Sequence, residues 1–220
     1  MKKDLHLTSN PQISVEEAWK LHDHVVVDVR SPKEFEESTY PEAINLPLLE
    51  DQERETVGIL YKHFGQKTAI EKGYSFLDEK LSQFKKTTEE IPKVRHLTVF
   101  CARGGMRSQV VTALLRYLGH EAKQLTGGYK AFRNYTLDRL NAYRFNRPIV
   151  LHGKTGVGKT LVLNGLSNVL DLEGLADHRG SLFGGVGKHP VSQKTFETKL
   201  LQALESLDPE NPVFIEGESR

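Results

Sequence analysis

An apolar strand, a glycine-rich loop and a helix start follow one another twice along this chain, and that repetition leaves few folds open. The first unit runs from Leu97-Thr-Val-Phe100 through Cys101-Ala-Arg-Gly-Gly-Met-Arg107-Ser108 into the helix-forming Val110-Val-Thr-Ala-Leu-Leu115. The second runs from Pro148-Ile-Val-Leu151 through Gly153-Lys-Thr-Gly-Val-Gly-Lys159-Thr160 into a helix predicted from Leu161 to Leu170. A strand joined to a helix by a short loop is the building block of parallel α/β sheets. In such a loop the backbone N–H groups and the positive end of the helix dipole converge on one spot, which favours an anion there.

The second loop satisfies G-x-x-x-x-G-K-[ST] at every required position. Gly153, Gly156 and Gly158 let the backbone fold around a diphosphate, Lys159 brings a point charge to the outer phosphate, and the Thr160 hydroxyl suits a magnesium ion. The first loop carries the only cysteine of the chain. Free cysteine is often a buried small hydrophobe, but Cys101 lies at a strand–helix junction with Arg103, Gly104, Gly105 and Arg107 beside it, a setting that favours a reactive thiolate over burial. Such a nucleophile can accept sulfur or selenium, or attack a phosphate ester. The C-x5-R spacing from Cys101 to Arg107 suits either chemistry.

The 220 residues are enough for two ordinary domains, and the spacing of the two loops favours that division. No apolar run approaches the ~20 residues that cross a bilayer, and the start, Met-Lys-Lys-Asp-Leu-His, lacks the apolar stretch of a secretion signal. A cytoplasmic protein with no membrane partner is the expectation. One cysteine rules out an internal disulfide framework and a cysteine-rich zinc site, and the nine histidines show no metal-ligand spacing. The net charge of +1 hides an asymmetry: residues 1–60 hold six Lys/Arg against thirteen Asp/Glu, and residues 101–147 hold nine against two. Arg133, Arg139, Arg144 and Arg147 therefore form a basic segment able to meet a polyanion such as RNA, or equally a solvated helix face.

Val25-Val-Val-Asp28-Val-Arg30 reads as a buried strand, Ser31-Pro32 as a capped helix start, and Ile44 to Pro47 as a short extended piece. Residues 51–92 read as largely helical, with breaks at Gly65 and Gly73. Gly119 ends the helix after the cysteine loop, Ala122–Leu125 is a further strand, and a helix runs from Tyr129 to about Phe145. These elements predict an α/β parallel-sheet domain over 1–140, a basic linker over 141–147, and the N-terminal part of a phosphate-loop α/β domain over 148–220. Pro212-Val-Phe-Ile-Glu216 reads as a strand whose terminal acid suits a metal or its water shell, with Asp177 and Arg179 as further polar candidates. A terminal parallel strand without a covering helix suggests that the second domain is incomplete.

Asp28-Val-Arg30-Ser-Pro-Lys-Glu34-Phe, Tyr40-Pro-Glu-Ala-Ile-Asn-Leu-Pro47, the Cys101–Ser108 loop and Gly127-Gly-Tyr-Lys-Ala-Phe resemble, in order, the signature stretches of a rhodanese domain. Thr39-Tyr-Pro-Glu42 departs from the His-Ile-Pro-Gly of many rhodaneses. With the phosphate loop, the run Asp171 to Gly184 and the ending Ile215-Glu-Gly-Glu-Ser-Arg220, the chain resembles the bacterial tRNA 2-selenouridine synthases along its whole length. Gly217 stands between two glutamates where another polar residue is expected.

The resemblance implies a two-step modification of a tRNA wobble uridine. 2-Thiouridine is S-geranylated from geranyl diphosphate, and the geranylthio group is then replaced by selenium from selenophosphate. Geranyl diphosphate and selenophosphate would be co-substrates and a selenophosphate supplier a partner. The diphosphate would belong at Gly153–Thr160, the selenophosphate at Cys101, and the tRNA along Arg139, Arg144 and Arg147. The alternatives are a phosphate-loop nucleotide hydrolase or kinase with a rhodanese sulfur-carrier domain, a phosphatase using Cys101 and Arg107, and a non-enzymatic persulfide carrier.

Overall fold

In the computed structural model the structure describes residues 10–21, 23–89, 96–154, 157–178 and 190–217, without the side chains of Gln83 and Thr160. The chain divides into two compact units, Met1–Tyr135 and Thr136–Arg220. Among the described residues no helix is long and apolar enough to cross a membrane.

The first unit runs β1 (Gln12–Ile13), α1 (Val15–Lys20), β2 (Val25–Asp28), α2 (Pro32–Glu37), β3 (Ile44–Asn45), α3 (Asp51–Glu89), β4 (Leu97–Phe100), α4 (Met106–Tyr117), β5 (Ala122–Leu125) and the start of α5 (Gly128–Ala142). Its sheet is ordered β1-β5-β4-β2-β3, with every pairing parallel. β2 and β4 are largely apolar because both of their faces are covered, whereas β5 carries Lys123 and Gln124. Val27 and Val99 point into one core with Val111 and Leu115 of α4. Val26 and Phe100 point into the other with Ala18, Tyr129 and Phe132. Asp28 pairs with Phe100, so the turns after β2 and β4 leave the sheet side by side. This is the carboxyl edge, where open α/β sheets place their sites.

Two elements of this unit carry no readable periodicity. β1 has only two residues, held by pairing with β5, and α1 is a six-residue helix closed by a capping box between Ser14 and Glu17. Of the two expected breaks in α3, only Gly65 is one: its φ of 83° with ψ of 177° kinks the element. Gly73 continues the helix, since nothing there requires a positive φ and flanking turns satisfy its backbone.

The second unit continues from α5 through β6 (Pro148–Leu151), α6 (Lys159–Leu163), β7 (Val169–Leu170), α7 (Leu172–Ala176), α8 (Gln193–Ser206) and β8 (Val213–Glu216), with a parallel sheet ordered β6-β8-β7. The helix expected from Leu161 to Leu170 is much shorter. It stops at Leu163 before Asn164-Gly165, two poor helix formers, and Asn168 takes a positive φ of 60° that turns the chain into β7. The expectation of an uncovered terminal strand is also corrected. β8 is the central strand, and α8 covers it by packing Leu204 against Leu170 and Val213. Gly217 is glycine for a steric reason: a Cβ there would lie 2.8 Å from His152 Nδ1 and 2.9 Å from Val150 Cγ1.

Candidate active site

Cys101 is the first residue after β4, and α4 starts at Met106 with Gly105 as its N-cap. The sulfur accepts a hydrogen bond from the Gly105 N–H at 3.2 Å and lies 3.2 Å from Ser108 Oγ. The loop is braced from β5: Gln124 Nε2 donates to the Gly104 carbonyl at 2.8 Å and to Ser108 Oγ at 2.9 Å. The start of α5 braces it again, since the Tyr129 and Lys130 N–H groups donate to the carbonyls of Cys101 and Ala102. This close approach accounts for Gly128, where a Cβ would overlap the Cys101 carbonyl oxygen and the Gly104 nitrogen. Ser108 and Gln124 were not singled out from sequence. Ser108 had one signal, its place on the first turn of the helix that follows the cysteine.

Cys101 itself is only 3% exposed, against the expectation that its context excludes burial. Both statements about its surroundings hold together because it lines a cavity of about 540 Å³. One wall of that cavity is α3, through Val57, Ala69, Ile70, Gly73 and Leu77. Leu48 and Leu49 close the end near β3, and Met106 and Val110 of α4 lie beside the cysteine. The polar lining comes chiefly from Arg54, Tyr61, Gln66, Arg103 and Arg107.

Of the two loop arginines, Arg103 is exposed at the cavity wall. Arg107 is engaged: its Nη1 donates to Glu34 Oε2 at 2.7 Å, and Arg54 Nε lies 3.6 Å from the same oxygen. Burial alone would raise the Glu34 carboxyl, but the hydrogen bond and charge of Arg107 outweigh it and hold the group below the ordinary glutamate range. Glu34 also accepts from the Ser31 N–H at the start of α2. The site therefore offers an incoming anion one uncommitted guanidinium, one shared guanidinium and the helix N-terminus. Arg30 is not part of it. It is buried against Asp28, with Nη2 2.6 Å from Oδ2, and its guanidinium lies 4.0 Å from the Tyr129 ring centroid.

In the second unit the phosphate-loop pattern joins β6 to α6 as expected. Gly158 has a φ of 91°, and Lys159 Nζ donates to the Gly153 carbonyl at 2.8 Å, which holds the ammonium across the loop mouth. A Cβ on Gly153 would press on Val157 Cγ2 at 3.0 Å. Gly156, Arg179 and the Thr160 side chain lie outside the described residues. Glu216 pairs in register with Leu151, the last residue of β6, so its carboxylate stands at the same sheet edge as the loop. Among the described residues its Oε2 is buried without a hydrogen-bond partner. Burial first, then the charges of Glu173 and Asp171, raise this carboxyl, with Lys159 opposing.

Asp177 is placed elsewhere in function: it closes α7 in a left-handed conformation with φ 46°. Asp171 caps the other end, accepting from the Gly174 N–H at 2.8 Å. Among the described residues no group of three or more His, Cys, Asp or Glu side chains is arranged to hold a metal ion. A magnesium ion fits only in the manner usual at phosphate sites, with one carboxylate and the remaining positions filled by phosphate oxygens and water. The orphaned Glu216 oxygen meets that requirement.

The basic segment is less uniform than its composition. Arg139 Nη2 pairs with Glu205 at 2.7 Å. Arg144 Nη1 folds back onto the carbonyls of Asn141 and Tyr143, both at 2.8 Å. Arg147 is exposed, and its carbonyl accepts from the Val213 N–H beside β6.

Residues 14–135 match the family model of the rhodanese-like domain, and residues 146–220 match that of the tRNA 2-selenouridine synthase AAA domain. A tRNA 2-selenouridine synthase of Sulfurovum sp. is 44% identical over 177 residues, 79% of this chain and 49% of that protein. One of Nitrosomonas europaea is 39% identical, covering 96% of this chain and 58% of its own length. The chain thus spans about half the length of the curated relatives it matches. Among solved structures, the N-terminal domain of a Clostridium difficile 630 protein described as ATP/GTP-binding is 41% identical, with a TM-score of 0.54. That match covers 57% of this chain and 98% of the other.

Proposed function

This chain belongs to the rhodanese-like family and, by the domain that follows, to the tRNA 2-selenouridine synthases, and from that premise we propose that it works in the two-step exchange of sulfur for selenium on a wobble uridine. The observation that carries the reading is the presence on one chain of two separate strand–loop–helix turns of different design. One is a cysteine loop backed by an apolar cavity, and the other a lysine held across a phosphate loop.

In the first step the sulfur of 2-thiouridine attacks C1 of geranyl diphosphate. The C–O bond breaks, diphosphate departs with the electron pair, and the N3 proton of the base is lost to solvent. Lys159 and the loop N–H groups take up the charge that develops on the leaving group. A magnesium ion, when bound, would supply further charge neutralisation, with Glu216 as its protein ligand.

In the second step the selenium of selenophosphate attacks C2 of the geranylated base, and the C–S bond breaks to release geranylthiolate. The phosphoryl group now rides on selenium. Cys101 removes it: its thiolate attacks phosphorus, an S–P bond forms, the Se–P bond breaks and its electrons remain on selenium. Water then hydrolyses the phosphocysteine. Arg103 and the N-terminus of α4 orient the phosphoryl oxygens, while the Gly105 N–H and Ser108 stay beside the sulfur. The exposed Arg147 and its basic neighbours face the tRNA backbone, and a selenophosphate-forming enzyme supplies the second co-substrate.

The test is reconstitution with the protein as its gene encodes it, a 2-thiouridine tRNA, geranyl diphosphate and selenophosphate, with the nucleosides read by mass spectrometry. Geranylated and then selenated uridine is the expected sequence of products. Robust ATP or GTP hydrolysis with neither nucleoside formed would replace this reading with a nucleotide hydrolase.

A further inference from the structure

The cavity beside Cys101 has a wall that the anion chemistry does not use. Helix α3 contributes aliphatic side chains along its length, and its kink at Gly65 folds the element so that Val57 and Tyr61 on one arm and Ala69, Ile70 and Leu77 on the other line one space. The charged groups of the cysteine loop, Arg103 and Arg107, line one side of it. A site for a small tetrahedral anion alone needs no apolar chamber of about 540 Å³. Cys101, only 3% exposed, lines this chamber, so a molecule seated in it lies beside the cysteine.

We propose that the cavity walled by α3 is the seat of the isoprenoid chain of the geranylthio nucleoside, holding the ten-carbon chain against Val57, Ile70 and Leu77 while the C–S bond lies at the cysteine loop. The inference rests on the two-step reading above and deepens it, because it places the intermediate of the first step in the rhodanese unit for the second. The recognised feature is the length of the apolar chain: each buried methylene strengthens binding about fourfold, so full burial of the five extra carbons makes a ten-carbon chain bind up to about 1,000-fold tighter than a five-carbon one.

Gly73 makes the proposal testable. It lines the cavity, lies within a helix, and a Cβ built on it meets nothing within 4 Å. Gly73→Trp therefore starts from a Cβ in open space and puts an indole at the cavity wall. Gly58→Trp, on the exposed face of the same helix and outside the cavity, controls for the substitution itself. The probe is geraniol, uncharged and lacking any nucleoside, measured by its slowing of iodoacetamide alkylation at Cys101, with the five-carbon prenol as the short comparison. Geraniol is expected to protect the parent and Gly58→Trp saturably, prenol only weakly, and Gly73→Trp to weaken protection by geraniol at least tenfold.

Selenation of pre-geranylated tRNA should fall in Gly73→Trp through a raised KM. Protection that is equal for the two alcohols, or unchanged in Gly73→Trp with the fold intact by circular dichroism, overturns the proposal. Normal selenation by Gly73→Trp overturns it too while leaving the two-step reading in place. Chain-length-dependent protection in a protein that never selenates would keep the chamber and defeat the functional reading instead.

Discussion

Asp28→Asn is the sharpest test of how the turn after β2 is held in place, because it removes a charge and little else. The Asp28 side chain is fully buried and accepts from Arg30 Nε at 3.0 Å, Arg30 Nη2 at 2.6 Å, the Arg30 N–H at 2.9 Å and Thr39 Oγ1 at 2.8 Å. Asparagine can keep one carbonyl acceptor. Its amide then turns donors toward the Arg30 guanidinium or the Thr39 hydroxyl, and the guanidinium, itself only 5% exposed, loses its counter-charge. Leaving one member of a buried ion pair uncompensated costs about 3–5 kcal/mol. Against a domain stability of roughly 5–15 kcal/mol, that is a third or more of the total. For a unit of this size it lowers the melting temperature by about 10 °C or more.

The assay is urea unfolding followed by the single tryptophan, Trp19, whose ring lies 5.7 Å from Tyr40 and 5.8 Å from Phe132 in the core of the first unit. Adding Arg30→Met removes the stranded charge and should recover part of the loss. It cannot recover all of it, because Arg30 Nη2 also donates to the Ser38 carbonyl at 2.7 Å, and orphaning that acceptor costs about 1–3 kcal/mol. A loss below about 1 kcal/mol for Asp28→Asn, or no recovery in the double variant, would refute the argument that this pair carries the turn after β2.

Three further outcomes are expected. Lys159→Ala should cut geranyl transfer by about 10²-fold or more, by analogy with the loss of one preorganised donor to a leaving group, while selenation of pre-geranylated tRNA measured in parallel suffers much less. Cys101→Ser should stop release of 2-selenouridine with geranyl transfer largely intact; equal loss of both products in a folded protein would sink the division of labour. Glu34 has a depressed folded-state value, so its stabilising effect is present above the ordinary glutamate range near 4.5 and is lost as pH falls through the lower folded value. Acid titration of stability should therefore show a descending limb below about pH 4.5 that is shallower in Glu34→Gln, and an identical limb in both proteins would show that the Arg107 contact is worth nothing.

What the sequence determined by itself was written in consecutive residues. Leu97–Phe100 and Ala122–Leu125 are strands at the bounds read from the sequence, the first because its largely apolar run suits a strand covered on both faces. The two loops join a strand to a helix as their glycine, lysine and arginine spacings predict, since those spacings are set by the local backbone turn. The tertiary structure alone decided the rest. Glu34 meets Arg107 across 73 residues of sequence, which offsets a charge that local reading counts as open. Cys101 is buried and yet lines a chamber, because α3 folds back over it at Gly65. Gly73, which reads as a helix breaker, is helical and leaves space in that chamber. Val169 and Leu170 look like the end of a helix but form an edge strand, because β8 arrives more than forty residues later in the chain to pair with them. In each case the deciding contact is between residues far apart in the chain, and its free energy depends on sheet register and helix packing that no local window of sequence contains.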